Sequence, residues 1–226
     1  MIRLVQNWRP SPAPAFYKKE PGSSELGKRI VREGLALMLE IGFEAFTFKK
    51  LAERMQTTEA SVYRYFENKH HILLYFMSMY WIWIEYQLTF GVENLADPSE
   101  KLFRAIRMIA RPEALHWPVD EAEFHQIHQL VVAEWGRVYY SSAIDAEHQA
   151  GLFADYTRVC KRLSEMIIEV QPGYPYPSTL VSAVMNILFV QRYYAVHLPS
   201  LTELCEQDER ITDFTLNLVK GALKTS

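Results

Sequence analysis

Apolar residues in this chain recur at steps of three and four, which is the period of an amphipathic α-helix. In the first such segment Leu26, Ile30, Leu37 and Ile41 fall on one face, and Gly42 marks the end. Few stretches alternate between apolar and polar residues at period two, as an amphipathic strand would. The pattern therefore predicts an all-α fold of about nine helices.

Boundary signals divide the larger, C-terminal part of the chain into long helices. Asp97 and Asp120 are suited to cap one helix each, because a short acidic side chain accepts hydrogen bonds from the first turn. Further helices are predicted over residues 146–170, 178–198 and 202–223. Residues 1–22 contain four prolines and no helical period, so they are expected to form an extended, flexible arm.

Between Thr47 and Phe66 the pattern predicts two very short helices, joined by a turn at residues 56–58. A helix of this length is not stable alone, because its nucleation costs more than its few hydrogen bonds contribute. Both are therefore expected to pack on the first helix through Leu51, Met55, Val62 and Phe66. Such a unit of three helices is a helix-turn-helix, a motif whose second short helix can enter the major groove of DNA.

The run GFEAFTFKKLAERMQTTEASVYRYFENKHHIL resembles the DNA-binding domain of the TetR family of bacterial repressors. The resemblance rests on Gly42, on Thr47 and on the block Tyr63-x-Tyr65-Phe66-x-Asn68-Lys69, and it covers about fifty residues, Glu25 to Leu74. It implies a DNA-binding domain over residues 23–70 and a ligand-binding and dimerisation domain over residues 71–226. It also implies a homodimer on a two-fold symmetric operator in double-stranded DNA.

The candidate DNA contacts combine small residues with hydroxyl and ammonium donors. Small residues let a helix sit deep in a major groove about 12 Å wide, and the donors suit phosphates. By the resemblance, Thr47, Tyr63, Tyr65 and Lys69 grip the backbone, whereas residues 59–61 match the base-reading segment. The alternative is that these side chains only pack or cap helices. The candidates are Thr47, Lys49, Thr58, Glu59, Ala60, Ser61, Tyr63, Arg64, Tyr65 and Lys69.

Two positions depart from the family pattern. The turn carries Gln56 and Thr57 where the family usually has glycine and an apolar residue, and a left-handed Gln56 would cost about 1 kcal/mol. Glu59 places an anion near DNA, where it either accepts a hydrogen bond from a cytosine amino group or repels phosphates.

The distribution of charge favours a nucleic-acid partner although the net charge is −3. Residues 1–69 contain twelve Lys or Arg and eight Glu, a net charge of +4, whereas the remainder carries −7. A basic head on an acidic body suits a protein whose first part faces a polyanion. The basic residues of the arm are either a further contact to DNA or part of an untethered tail.

Aromatic side chains in the larger part form a candidate pocket for a small, largely apolar ligand, because such pockets combine aromatic walls with a few polar groups. The alternative is a solid core. The candidate ligand-binding residues are Trp81, Tyr86, Trp117, Phe124, His128, Trp135 and Tyr139. Two later helices are apolar on more than one face, which suggests a partner subunit. The candidate dimer residues are Tyr156, Leu163, Val181, Val184 and Leu188.

The remaining motifs point away from catalysis and from a membrane. No nucleophile elbow, phosphate loop or metalloprotease motif is found, and no cofactor is predicted. His125-x-x-His128, with Glu121 and Glu123 nearby, lacks the H-E-x-x-H arrangement and has no cysteine close to it, so no metal site is predicted. The apolar segment near residues 180–198 carries Asn186, Gln191 and Arg192 and is interpreted as a buried helix, so a cytoplasmic location is expected. The leading hypothesis is a repressor released by its ligand; the alternatives are a helix-turn-helix regulator without an inducer, and an enzyme.

Overall fold

A computed structural model describes residues 12–112, 121–203 and 209–224 of the chain. These residues form ten α-helices and no strand, so the prediction of an all-α fold is confirmed. The helices are α1 Glu25–Ala45, α2 Phe48–Arg54, α3 Glu59–Tyr63, α4 Lys69–Val92, α5 Pro98–Ala110, α6 Glu121–Tyr139, α7 Ile144–Gln149, α8 Ala154–Val170, α9 Pro177–His197 and α10 Arg210–Leu223.

Glycine and local turns move some boundaries away from the sequence prediction. The segment predicted as one helix from about residue 146 is two helices, α7 and α8, with Gly151 at a φ of 78° between them. The last helix begins at Arg210 rather than Thr202, and a single 3₁₀ turn, Pro199–Leu201, follows α9. Asp120, the predicted cap of α6, lies outside the described residues.

The chain packs as two compact units. The first contains the residues up to Ile82 together with 117–154, and the second contains residues 83–116 together with those from Asp155 onwards. Helix α4 runs from the first unit into the second. The division predicted after residue 70 remains a proposal about function, since α6 and α7 belong to the same compact unit as the N-terminal helices.

The core of the first unit joins α1 to the two short helices. Leu51, Met55, Val62 and Phe66 are all at most 3% exposed, as the helix-turn-helix prediction requires. They pack with buried side chains of α1 such as Ile30, which is fully buried. Burying one large apolar side chain contributes about 1.5–3 kcal/mol, which is how helices of five and seven residues persist in the fold.

The N-terminal strap, defined here as residues 12–24, packs on the first unit. It contains two 3₁₀ turns, and its Phe16 is only 1% exposed. The backbone N–H of Lys18 donates to the carbonyl of Tyr65 at 2.7 Å. This differs from the flexible arm expected over residues 1–22, because an apolar side chain and a backbone hydrogen bond hold residues 12–22 in place; residues 1–11 lie outside the described residues.

The second unit is built from the end of α4 and from α5, α8, α9 and α10. Arg158 on α8 forms a two-pronged ion pair with Glu85 on α4, with Nε and Nη2 2.9–3.1 Å from the carboxylate. Helix α9 is long and apolar enough to span a membrane by length and composition alone, with 33% of its most apolar window buried. Its Arg192 donates to the carbonyl of Ala110 at the end of α5, a contact typical of helices packed in protein.

Candidate DNA-binding surface and aromatic cluster

The turn between α2 and α3 is a Schellman motif. The N–H of Thr57 donates to the carbonyl of Ala52 at 2.9 Å, and the N–H of Gln56 donates to that of Glu53 at 3.1 Å. Gln56 has a φ of 52°, the left-handed conformation that glycine usually provides. Gln56 therefore adopts the left-handed conformation in place of the usual glycine, at the cost of backbone strain, and the turn keeps its geometry.

Hydroxyl caps fix where the two short helices begin. The Thr47 Oγ1 accepts from the N–H of Lys50 at 3.2 Å, and the Thr58 Oγ1 accepts from the N–H of Ser61 at 3.3 Å. Both threonines are exposed, so each hydroxyl caps its helix while lying at the surface. These two hydroxyls can therefore cap their helices and contact DNA at the same time.

Eight of the ten candidate DNA contacts lie open or half-open to solvent around α2 and α3. Tyr63 is 45% exposed, and its ring packs edge-on against Phe48 with centroids 4.9 Å apart, which fixes its direction. Ser61 is half-buried and the others are exposed. These eight residues, called here the recognition surface, are Thr47, Lys49, Thr58, Glu59, Ala60, Ser61, Tyr63 and Arg64.

Tyr65 and Lys69 stand apart from the recognition surface because each is engaged within the fold. Tyr65 is 1% exposed, and its hydroxyl shares a 2.7 Å hydrogen bond with Ser24; this bond, together with Lys19, lowers the pKa of the tyrosine. The Lys69 Nζ donates to the carbonyls of Phe43 and Glu44, both at 3.0 Å. Both side chains are thus engaged within the fold, and their contact with DNA stays a prediction.

An arginine that the sequence analysis did not single out ties α2 to α1. Arg54 bonds to the carboxylate of Glu33 at 3.1 Å and to that of Glu40 at 2.5 Å. The hydrogen bond from Arg54 lowers the pKa of Glu33. The ion pairs join residues fourteen and twenty-one positions apart, a distance that helical periodicity does not register.

The aromatic residues predicted for a ligand pocket meet between α4 and α6 of the first unit. Trp81 and Trp135 pack edge-on at 6.2 Å, and the Trp81 Nε1 donates to the Tyr139 hydroxyl at 2.6 Å. Phe124 and His128 stack on Tyr80, a residue the sequence analysis missed, with centroids 5.9 and 5.6 Å away. This aromatic cluster comprises Tyr80, Trp81, Phe124, His128, Trp135 and Tyr139.

Two candidates for the pocket are placed elsewhere. Tyr86 belongs to the second unit, where its ring lies 4.8 Å from that of Phe90. Trp117 lies outside the described residues. His125 and His128 differ in exposure, and the described part of the chain contains no group of three His, Cys, Asp or Glu residues arranged to hold a metal ion.

Helix α6 also contacts the end of α1. Arg137 pairs with Glu44 at 2.6 Å, and its guanidinium lies 5.0 Å from the centre of the Phe43 ring. The Lys69 Nζ lies 4.7 Å from the centre of the same ring. Since Arg137 follows Trp135 by two residues, one helix connects the aromatic cluster to the helix-turn-helix.

The candidate dimer residues are largely enclosed by their own chain. Leu163, Val181, Val184 and Leu188 are 1–4% exposed, and Tyr156 is half-buried. The same two helices carry other apolar side chains at the surface. These are Ile168 of α8 and Tyr193 and Val196 of α9, which are 36–50% exposed.

Comparison with known proteins agrees with this architecture. Residues 30–76 match the family model described as bacterial regulatory proteins, tetR family. A crystal structure of AibR in complex with isovaleryl coenzyme A and operator DNA has 19% identity and a TM-score of 0.57, covering 86% of this chain and 97% of AibR. The TetR family regulator PfmR from Thermus thermophilus has 18% identity and a TM-score of 0.55, covering 87% and 98%.

The ketosteroid transcriptional regulator KstR2 of Mycobacterium tuberculosis is similar at 17% identity, with a TM-score of 0.54 over 88% of this chain and 94% of KstR2. No curated protein sequence matches the chain. The fold and the open recognition surface define a helix-turn-helix protein of the all-α class. Residues 30–76 match the TetR family of transcription regulators, as the sequence predicted, and the described fold is similar to that of a solved TetR family regulator.

Proposed function

We propose that the protein is a cytoplasmic transcriptional repressor, acting as a homodimer, that a small and largely apolar ligand releases from its operator. The observation that carries the DNA-binding part is the open face of α3. Glu59 and Ala60 are exposed there, directly after the Schellman turn that ends α2 and the Thr58 cap that begins α3. Tyr63 and Arg64 follow at the surface with groups suited to phosphates.

A single charge placed on α3 tests this surface. Ala60 lies in the first turn, where a negative side chain interacts favourably with the helix dipole, so Ala60→Asp is expected to fold normally. Facing DNA, the same charge would repel phosphates. We expect Ala60→Asp to weaken binding to DNA selected from a random pool much more than Ala60→Asn, which has nearly the same size.

The control places the same charge on an exposed alanine of α6. Ala133→Asp is expected to leave DNA affinity unchanged. Equal binding by Ala60→Asp and Ala60→Asn, both folded, would show that α3 does not face DNA. Failure of the wild-type protein to enrich any sequence would reject the DNA-binding function itself.

Support for a ligand comes from the position of the aromatic cluster. It combines buried rings with polar atoms of Tyr139 and His128, the composition of an apolar ligand site. It also lies on α6, two residues before Arg137, which pairs with Glu44 at the end of α1. A ligand that displaces Trp135 would move α6 and alter that contact. Coupling of this kind typically amounts to about 1–3 kcal/mol.

A panel of probes tests the ligand hypothesis against a regulator without an inducer. KstR2 is a ketosteroid regulator, so ketosteroids are reasonable probes for a largely apolar ligand. AibR has been crystallised with isovaleryl coenzyme A, so short acyl-coenzyme A thioesters test whether a charged carrier is tolerated beside an apolar acyl group. We expect at least one to weaken operator binding by the wild-type protein and to act differently on Trp135→Ala. If no probe acts on either protein, the alternative without an inducer is favoured.

We propose that the dimer forms through the exposed faces of α8 and α9. Apolar side chains that stay at the surface of a monomer mark an interaction site when several lie together. Ile168 on α8 and Tyr193 and Val196 on α9 are exposed apolar side chains of this kind, whereas Leu163 and Leu188 are buried within the subunit. A two-fold axis through such a pair of helices would also present two recognition surfaces to a symmetric operator.

A further inference from the structure

The N-terminal strap is held on the DNA-binding head by apolar contacts. Phe16 is 1% exposed, and the ring of Tyr17 packs edge-on against Tyr75 with centroids 6.3 Å apart. Pro21 is buried beside Gly27 of α1, where an added Cβ would lie 2.2 Å from the Pro21 carbonyl oxygen. The strap therefore lies in a fixed position, and that position requires the absence of a side chain at residue 27.

Two hydrogen bonds fasten the strap to Tyr65. The N–H of Lys18 donates to the Tyr65 carbonyl at 2.7 Å, and the Ser24 Oγ and Tyr65 hydroxyl are 2.7 Å apart. Tyr65 follows directly after Arg64, the last residue of the recognition surface. The strap thus packs over Tyr65, which is the buried residue among the candidate phosphate contacts. Arg64, next to Tyr65 in the chain, stays exposed.

Two lysines of the strap are placed beside Tyr65, Lys18 by its backbone hydrogen bond and Lys19 by its ammonium group. Lys18 and Lys19 are exposed, and the Lys19 Nζ lies 5.3 Å from the centre of the Tyr65 ring. Within the described part of the chain neither lysine has a carboxylate within 4.0 Å. Glu20 follows the two lysines directly in the chain. Glu67, two residues after Tyr65, has its carboxylate 4.0 Å from the His71 ring.

We propose that Lys18 and Lys19 form a second phosphate-binding element, which extends the recognition surface along the DNA backbone. The inference rests on the proposed DNA-binding function. Both lysines carry a compact charge that suits phosphate, and the docked backbone removes much of the conformational entropy that a flexible arm would lose on binding. Because phosphate contacts carry no sequence information, the strap is expected to add affinity and leave base preference unchanged.

The test compares wild-type protein with the double variant Lys18→Ala/Lys19→Ala by fluorescence anisotropy over a range of salt concentrations. The probes are the DNA selected by the wild-type protein and a scrambled duplex of equal length. We expect weaker binding to both probes, and a log–log salt slope lower by up to about 1.8 per subunit. The ratio of the two affinities should stay constant. Alanine keeps the backbone N–H at residue 18, so docking of the strap is retained.

Three further variants make the result specific. Lys18→Arg/Lys19→Arg should keep the wild-type slope, and so should Lys161→Ala, which removes a 75% exposed lysine of α8. Gly27→Ala should weaken binding without changing any charge, because its Cβ would overlap both the Pro21 carbonyl oxygen at 2.2 Å and the Tyr65 ring at 2.8 Å and so separate the strap from Tyr65. Thermal melting confirms that each variant is folded.

The outcomes separate the strap from the recognition surface. If the wild-type protein binds selected DNA and the double alanine variant retains the full salt slope, the strap does not contact phosphate. If Gly27→Ala binds like wild type while the double alanine variant is weakened, the lysines act from an undocked arm and the proposed geometry is wrong. If the wild-type protein selects no DNA, the proposed function fails first.

Discussion

Replacing Gln56 by glycine should stabilise the protein, because the turn holds this residue at a φ of 52°. A non-glycine residue in the left-handed region costs about 1–2 kcal/mol. Glycine relieves this strain but gains about 0.4–1 kcal/mol of entropy in the unfolded chain. The side chain is exposed and makes no hydrogen bond within the described residues, so little else is lost. The net expectation is a gain of about 0.5–1 kcal/mol.

Urea unfolding measures this gain directly, since the midpoint should rise while the m-value stays constant. For a chain of this length the melting temperature should rise by about 1–4 °C. Gln56→Ala keeps the strain and should match wild type. Glu53→Gly, in the last turn of α2, should instead lose up to about 1 kcal/mol. If Gln56→Gly is no more stable than Gln56→Ala, the turn does not impose a left-handed residue and the Schellman assignment is wrong.

Three further results are expected. Arg137→Met should change ligand-free DNA affinity by less than about five-fold, since exposed ion pairs contribute little, yet reduce ligand-induced release; an unchanged response would exclude this contact from the coupling. Val196→Glu should yield monomers in light scattering whereas Phe214→Glu, an equally exposed control on α10, should not; the reverse result would place the interface elsewhere. Burial raises the pKa of Cys160 to about 11, so its thiol should react slowly in the folded protein. In a Cys205→Ser variant, iodoacetamide at about pH 8 should therefore label the unfolded protein far faster than the folded one. Equal rates would contradict the burial of Cys160.

The sequence predicted the features that depend on residues close together in the chain. The burial of Leu51 and Val62 and the turn at Gln56 follow from spacings of three to five residues. Over such distances backbone geometry leaves few choices, so residue type and period suffice. The match of residues 30–76 to a family model confirms this part of the interpretation.

Only the tertiary structure shows which predicted side chains already have partners within the fold. Tyr65 looks like a phosphate contact by spacing, but its hydroxyl bonds to Ser24, 41 residues earlier. Lys69 binds carbonyls at the end of α1, 25 and 26 residues away, and Leu188 is buried within its own subunit. Each of these contacts joins residues that are far apart in the chain and meet only when the unit packs. The periodic pattern of a sequence indicates that one face of a helix is apolar, but it does not indicate which part of the protein will contact that face.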